Sequence, residues 1–166
     1  MKEITEAEML HKMASYCSIT ERCFQDVSKK LDASSLSNEA KDRIKERLIQ
    51  EKFIDEKRFA RAFVNDKLKF NQWGRVKIIC ELKRKSIPFS EINNVISEIN
   101  EDEYFWILQS LLKSKNKTIK AKNNQERFYK LLRFAVGRGF TSQESVSCLK
   151  KMLLSTLDID YDENME

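Results

Sequence analysis

Apolar residues recur along this chain at helical spacing. Ala7, Leu10, Ala14 and Cys17 share one face at steps of three and four, as do Phe24, Val27 and Leu31, and then Ala40, Ile44 and Leu48. Phe59, Phe63 and Phe70 point one way from a helix that Asp55 can cap. Ile78 and Leu82 continue the pattern. Pro88 suits the first turn of the next helix, which carries Ile92, Val95, Ile96 and Ile99. Asn100 and Glu103 form a candidate capping box before Tyr104, Ile107, Leu108 and Leu111. Phe128, Leu131, Leu132 and Ala135 mark an eighth segment that Gly137-Arg138-Gly139 can stop. Thr141 and Glu144 are a second capping box, opening Val146, Leu149 and Leu153. The spacing predicts nine helices near 5–16, 20–31, 37–51, 55–69, 73–85, 88–99, 101–114, 123–136 and 141–154. The alternating lysines of 113–122 do not resemble a core-facing helix and are expected as a basic loop or frayed helix end.

The nine segments group as three sets of three. Val27 and Leu31 align with Ile78 and Leu82 at an offset of 51, and Arg138–Glu144 align with Lys85–Glu91 at an offset of 53. A three-helix unit of this size buries little alone, so stacked copies would share core. The expected fold is all-α: three tandem three-helix repeats over 1–52, 53–100 and 101–155, stacked into an elongated curved rod, with an acidic tail over 156–166.

Composition agrees. Among 166 residues there are 3 Gly and 1 Pro, where average usage would supply about 20 together. Hairpin-rich sandwiches and barrels and Gly-rich nucleotide-binding folds are thereby disfavoured. No apolar run approaches the ~18 residues that cross a membrane, and Met1–Glu6 lacks a signal-peptide core, so a cytoplasmic protein is expected. Cys17, Cys23, Cys80 and Cys148 form no Cys-x-x-Cys pair and read as reduced, small core residues.

The net charge of +5 hides an uneven distribution. Residues 57–90 carry 10 basic and 2 acidic side chains, and residues 113–140 carry 9 and 1. Two blocks of net +8, each interleaved with aromatics, point to a polyanionic partner. The tail Asp158-Ile-Asp-Tyr-Asp-Glu163 could mimic phosphates and compete for that basic surface.

No catalytic constellation is visible. His11 is the single histidine, so a Ser-His-Asp triad or a typical mononuclear zinc site would need it, and it reads as structural. Ser110-Leu-Leu-Lys113 matches an acyl-transfer spacing without any supporting motif. No phosphate-cradling loop is present, and Asp55-Glu56 and Asp102-Glu103 sit where helices begin. No enzyme activity, cofactor or metal is expected.

One stretch carries a specific pattern: Asp55-Glu56-Lys-Arg58-Phe59-Ala60, then Trp73-Gly74, then Leu82 and a turn at Lys85-Ser86-Ile87. It resembles the middle repeat of the RecX family, bacterial regulators of the RecA recombinase. Arg138-Gly139-Phe140 resembles the matching turn of the third repeat. The resemblance covers about residues 7–154, and its specific part is roughly 53–87. Two positions depart from the family pattern: Arg75 where proline often follows Trp-Gly, and Ser86 where glycine is usual, so a left-handed backbone there would be strained. The resemblance implies three tandem three-helix repeats and a non-enzymatic regulator. It also implies binding in the groove of a RecA filament on single-stranded DNA, with inhibition of filament extension, ATP hydrolysis and strand exchange.

On that reading the two basic blocks would lie on one side of the rod. The candidate contacts are Arg58, Arg61, Lys67, Lys69, Arg75, Lys77, Lys83, Arg84 and Lys85, with Lys115, Lys117, Lys120 and Lys122 from the second block. Arg58 could instead pair with Asp55 or Glu56, and Lys67 and Lys69 could simply solvate a helix face. Arg75→Ala is expected to spare folding and weaken binding. Trp73 could stack on a base, although a Trp beside Gly at a helix start also suits a packing anchor. A helical-repeat module that binds nucleic acid with no recombinase, and an adaptor for an acidic protein, remain alternatives. No long heptad seam is evident, so a monomer is expected.

Overall fold

The computed structural model describes residues 2–156 and contains nine α-helices and no strand among them. They are α1 (Glu6–Ile19), α2 (Phe24–Asp32), α3 (Asn38–Gln50), α4 (Glu56–Lys69), α5 (Arg75–Arg84), α6 (Phe89–Ser97), α7 (Glu101–Thr118), α8 (Asn124–Gly137) and α9 (Ser142–Thr156). The all-α expectation holds, and each predicted helix has its counterpart.

Short polar side chains open these helices by accepting amide protons that no earlier carbonyl can take. Thr5 and Glu8 form a reciprocal capping box at α1, and Ser37 accepts the Ala40 amide at α3. Asp55 Oδ1 accepts the Arg58 amide at 3.0 Å, so it caps α4 as expected. Thr141 and Glu144 exchange side-chain and backbone bonds at 3.1 and 3.0 Å before α9. Asn100 accepts the Glu103 amide, but the Glu103 carboxylate reaches Lys69 instead of returning to the cap.

The helices form two compact units. The first comprises the chain up to Asn65 together with Glu81–Ser97, and the second comprises Asp66–Cys80 together with the chain from Glu98. Helices α4 and α5 therefore contribute to both. In the first unit α1 and α2 pack on α3, burying Met9, Met13, Cys17, Val27, Leu31, Ile44, Leu48 and Ile54 in one cluster. In the second, α7, α8 and α9 pack on one another. Leu108, Leu112, Leu131, Ala135, Cys148 and Leu149 are buried there, and Tyr104 lies against Phe140 with ring centroids 5.3 Å apart.

Several expectations are corrected. On α1 Cys17 is buried and Leu10 and Ala14 pack against the core as expected, but Ala7 is exposed, and Met9 and Met13 supply the rest of the buried face. Phe70 lies just past the end of α4 and is 83% exposed, whereas Phe59 is 5% exposed. Cys17, Cys23 and Cys148 are buried, but Cys80 is exposed on α5. His11 is exposed as well. Helix α7 continues through Lys113, Lys115 and Lys117 to Thr118, so only 119–123 form the connecting loop. The acidic tail from Leu157 onward lies outside the described residues.

Candidate nucleic-acid interface

Helix α4 ends in a turn that the chain must make without glycine. The Trp73 amide donates to the Lys67 carbonyl at 2.9 Å, and Gln72 adopts φ 52° to allow it. The bond spans seven residues, one more than the six-to-one bond of a Schellman closure. The Lys67 ammonium lies 4.7 Å from the Trp73 ring centroid. Lys77, from the first turn of α5, lies 4.5 Å from the same centroid. Trp73 is half-buried, so packing and surface presentation are combined in one side chain.

Gly74 follows and has no room for a side chain. A Cβ there would fall 2.3 Å from the carbonyl carbon and oxygen of Gly139. The Gly74 amide donates to the Arg138 carbonyl at 2.9 Å, and the Val76 amide donates to the Gly139 carbonyl at 3.0 Å. Gly139 itself adopts φ 101°, and a Cβ on it would fall 2.4 Å from Lys77 Cβ. Arg138 also donates to the Asn71 carbonyl at 3.0 Å. The Trp73-Gly74 motif and the Arg138-Gly139-Phe140 motif are thus two halves of one backbone contact.

Arg75 is half-buried and engaged by the protein's own side chains. Its side chain pairs with Glu101 and with Glu144 at 3.3 Å, and its guanidinium lies 4.0 Å from the Tyr104 ring centroid. The Arg75 amide donates to the Tyr104 hydroxyl, which donates in turn to Glu144. Burial pushes the Tyr104 phenol well above its ordinary range, which keeps it protonated and donating. Lys69 pairs with Glu103 at 3.9 Å. Among the candidate cations of this unit's α4–α5 segment, Lys67 and Lys77 are the two gathered on Trp73.

In the first unit, Arg58 is likewise a strut. It donates to Glu21 at 2.5 Å and to the Lys52 carbonyl at 2.8 Å, with Asp55 at 4.0 Å. Glu56, its partner in the acidic pair, accepts the Phe24 amide at 2.7 Å and so caps α2 from a distance in sequence. Burial raises the Glu56 carboxyl despite that bond. Lys85 pairs with Asp26 at 3.4 Å and sits 5.8 Å from the Phe59 centroid, while Arg84 pairs with Glu81. Lys83 and Arg61 are exposed. Ser86 has φ 60°, the strained left-handed backbone expected where glycine is usual.

In the second block, Lys115 lies 4.8 Å from the Phe134 ring centroid. Lys117, Lys120 and Lys122 are exposed at the end of α7 and in the loop that follows. The structure therefore divides the predicted list: Arg58, Arg61, Lys83, Arg84 and Lys85 belong to the first unit, and the others to the second.

Phe70 lies outside the α4 core that its phase predicts, because Lys69 is the last helical position. A polar Asn71-Gln72 immediately after it was the available signal for a helix end. Among the described residues no group of three or more His, Cys, Asp or Glu could hold a metal ion, and no helix is long and apolar enough to cross a membrane.

The second three-helix domain of RecX is the family model that matches, over residues 55–96. The regulatory protein RecX of Clostridium tetani is 31% identical over 139 residues, covering 82% of this chain and 62% of that protein. The RecX of Prosthecochloris aestuarii is 29% identical, covering 92% of this chain and 99% of that protein. This chain thus spans less than two thirds of the clostridial relative and nearly all of the other. The crystal structure of RecX from Lactobacillus salivarius superposes with a TM-score of 0.79 at 15% identity, over 90% of this chain and 97% of that one. A second RecX crystal structure gives 0.77 at 20% identity, over 87% and 71%. With its middle motif matched by the family model, relatives aligned along most of its length, and the same fold, this chain is similar to the RecX regulatory proteins.

Proposed function

We propose that this protein restrains homologous recombination by binding the RecA filament on single-stranded DNA. Binding would limit filament extension, ATP hydrolysis and strand exchange. The reading rests on the similarity to RecX proteins and on one observation: the Trp73-Gly74 motif carries two lysine ammonium groups over a half-buried indole. Such a surface suits a phosphate-bearing strand, because cations supply counterion release and the ring supplies stacking area. The protein acts by occupancy rather than by turnover, as a monomer in the cytoplasm, where the recombinase works on the chromosome.

The same surface also suits a naked single strand, so direct nucleic-acid binding is the second reading. Fluorescence anisotropy of a labelled oligonucleotide separates the two. Binding to the filament should be tighter than binding to either the free strand or free RecA. Equal affinity for the filament and the free strand would instead favour the direct module. The affinity should fall steeply with salt if phosphates are neutralised. A salt-insensitive complex with RecA alone would favour a protein adaptor.

A further inference from the structure

An exposed phenylalanine is ordinary in isolation. Phe70 is different in its setting. It is 83% exposed in a connection held by backbone bonds from Trp73 to Lys67 and from Gly74 to Arg138, and by the Arg138 side chain on Asn71. Its exposure is therefore not that of a loose loop tip. Residues 67–80 carry four cations and no carboxylate. Two of these, Lys69 and Arg75, pair with Glu103 and with Glu101 and Glu144, while Lys67 and Lys77 lie over the Trp73 ring. The Lys67 and Lys77 ammonium groups on Trp73 would draw a phosphate-bearing partner to this connection.

From these observations we infer that Phe70 and Trp73 form a base-contacting surface for single-stranded nucleic acid, with Lys67 and Lys77 beside it to meet the phosphates. The inference rests on the reading that the protein meets single-stranded DNA, and it adds which residues touch bases. A duplex hides its base faces in the stack, whereas a single strand offers them to aromatic side chains. The surface consequently selects single strands over duplex of equal charge.

The test uses a labelled thymidine oligonucleotide, the same oligonucleotide made abasic, and a duplex, each titrated with wild type, Phe70→Ala and Lys77→Ala at several salt concentrations. Phe70→Ala should weaken thymidine binding by about fivefold or more, with an unchanged salt slope because no charge is lost. Lys77→Ala should flatten the slope by about 0.7 for the one phosphate released. The abasic strand, which loses the contacts of both Phe70 and Trp73, should bind wild type at least as weakly as the thymidine strand binds Phe70→Ala. Circular dichroism should show both variants as helical as wild type. Unchanged thymidine affinity in Phe70→Ala, or equal affinity of wild type for the thymidine and abasic strands, overturns the inference. If Phe70→Ala retains thymidine affinity but loses inhibition of the RecA filament, Phe70 touches the recombinase and the base contact is wrong. If neither changes, the base contact fails while the filament reading stands.

Discussion

Gly74 and Gly139, 65 positions apart in sequence, meet backbone to backbone, with space between them for no Cβ on either residue. The contact joins the connection between α4 and α5 to the turn between α8 and α9. Gly74→Ala should therefore destabilise the fold by about 1–3 kcal/mol or more, since the clash is with backbone that cannot rotate away. Gly137→Ala is the control. Nothing lies within 4 Å of a Cβ there, and at a helical position alanine should be neutral or stabilising by up to about 1 kcal/mol. Urea unfolding of the two variants distinguishes them.

Ser86 adopts φ 60° at the C-terminus of α5, where the Ile87 amide returns to the Leu82 carbonyl at 3.1 Å. Glycine removes the steric cost of that backbone. It also removes an exposed 3.2 Å bond from Gln25 to the Ser86 hydroxyl. The strain outweighs a solvent-exposed bond, so Ser86→Gly should raise stability by about 0.5–1 kcal/mol. A lower urea midpoint for the variant would contradict this.

Arg75 supports the fold. Its side chain is 20% exposed and joins Glu101, Glu144 and Tyr104. Arg75→Ala removes the cation from two carboxylates and from the Tyr104 ring, while the backbone amide still meets the Tyr104 hydroxyl, and should cost about 1–3 kcal/mol. Thermal unfolding beside Lys83→Ala checks it, because Lys83→Ala changes only an exposed position and should unfold like wild type.

Asp26 makes stability depend on pH. Burial would raise its carboxyl, but the Cys23 side chain and amide and the Lys85 charge outweigh burial and hold it below the ordinary value. A carboxyl lowered in the fold stabilises it above the ordinary value, and the contribution is lost as pH falls towards the folded one. The stability difference between wild type and Asp26→Asn should thus shrink from about pH 6 to about pH 3. A difference that stays constant across that range would show that Asp26 is not held in this way.

The helices were legible because their apolar period and caps agree: Asp55, Asn100 and Thr141 each accept the amide that the sequence assigns to them. Phe70 was not legible, since periodicity alone does not show that α4 stops one residue earlier. Lys113–Lys117 were not either, because α7 packs through Leu108, Leu111 and Leu112, and its last turns continue as helix whatever their lysines prefer. The candidate site was legible as a composition of cations. Their partners were not: Glu21 for Arg58, Asp26 for Lys85, and Glu101 and Glu144 for Arg75 lie 26 to 69 positions away. Only folding reveals which carboxylates those cations meet and which two lysines gather on Trp73.

The most direct measurement is ATP hydrolysis by the host's RecA on single-stranded DNA, titrated with this protein. The account predicts inhibition well below the protein concentration that coats free DNA. Undiminished hydrolysis at concentrations that saturate the DNA would contradict it.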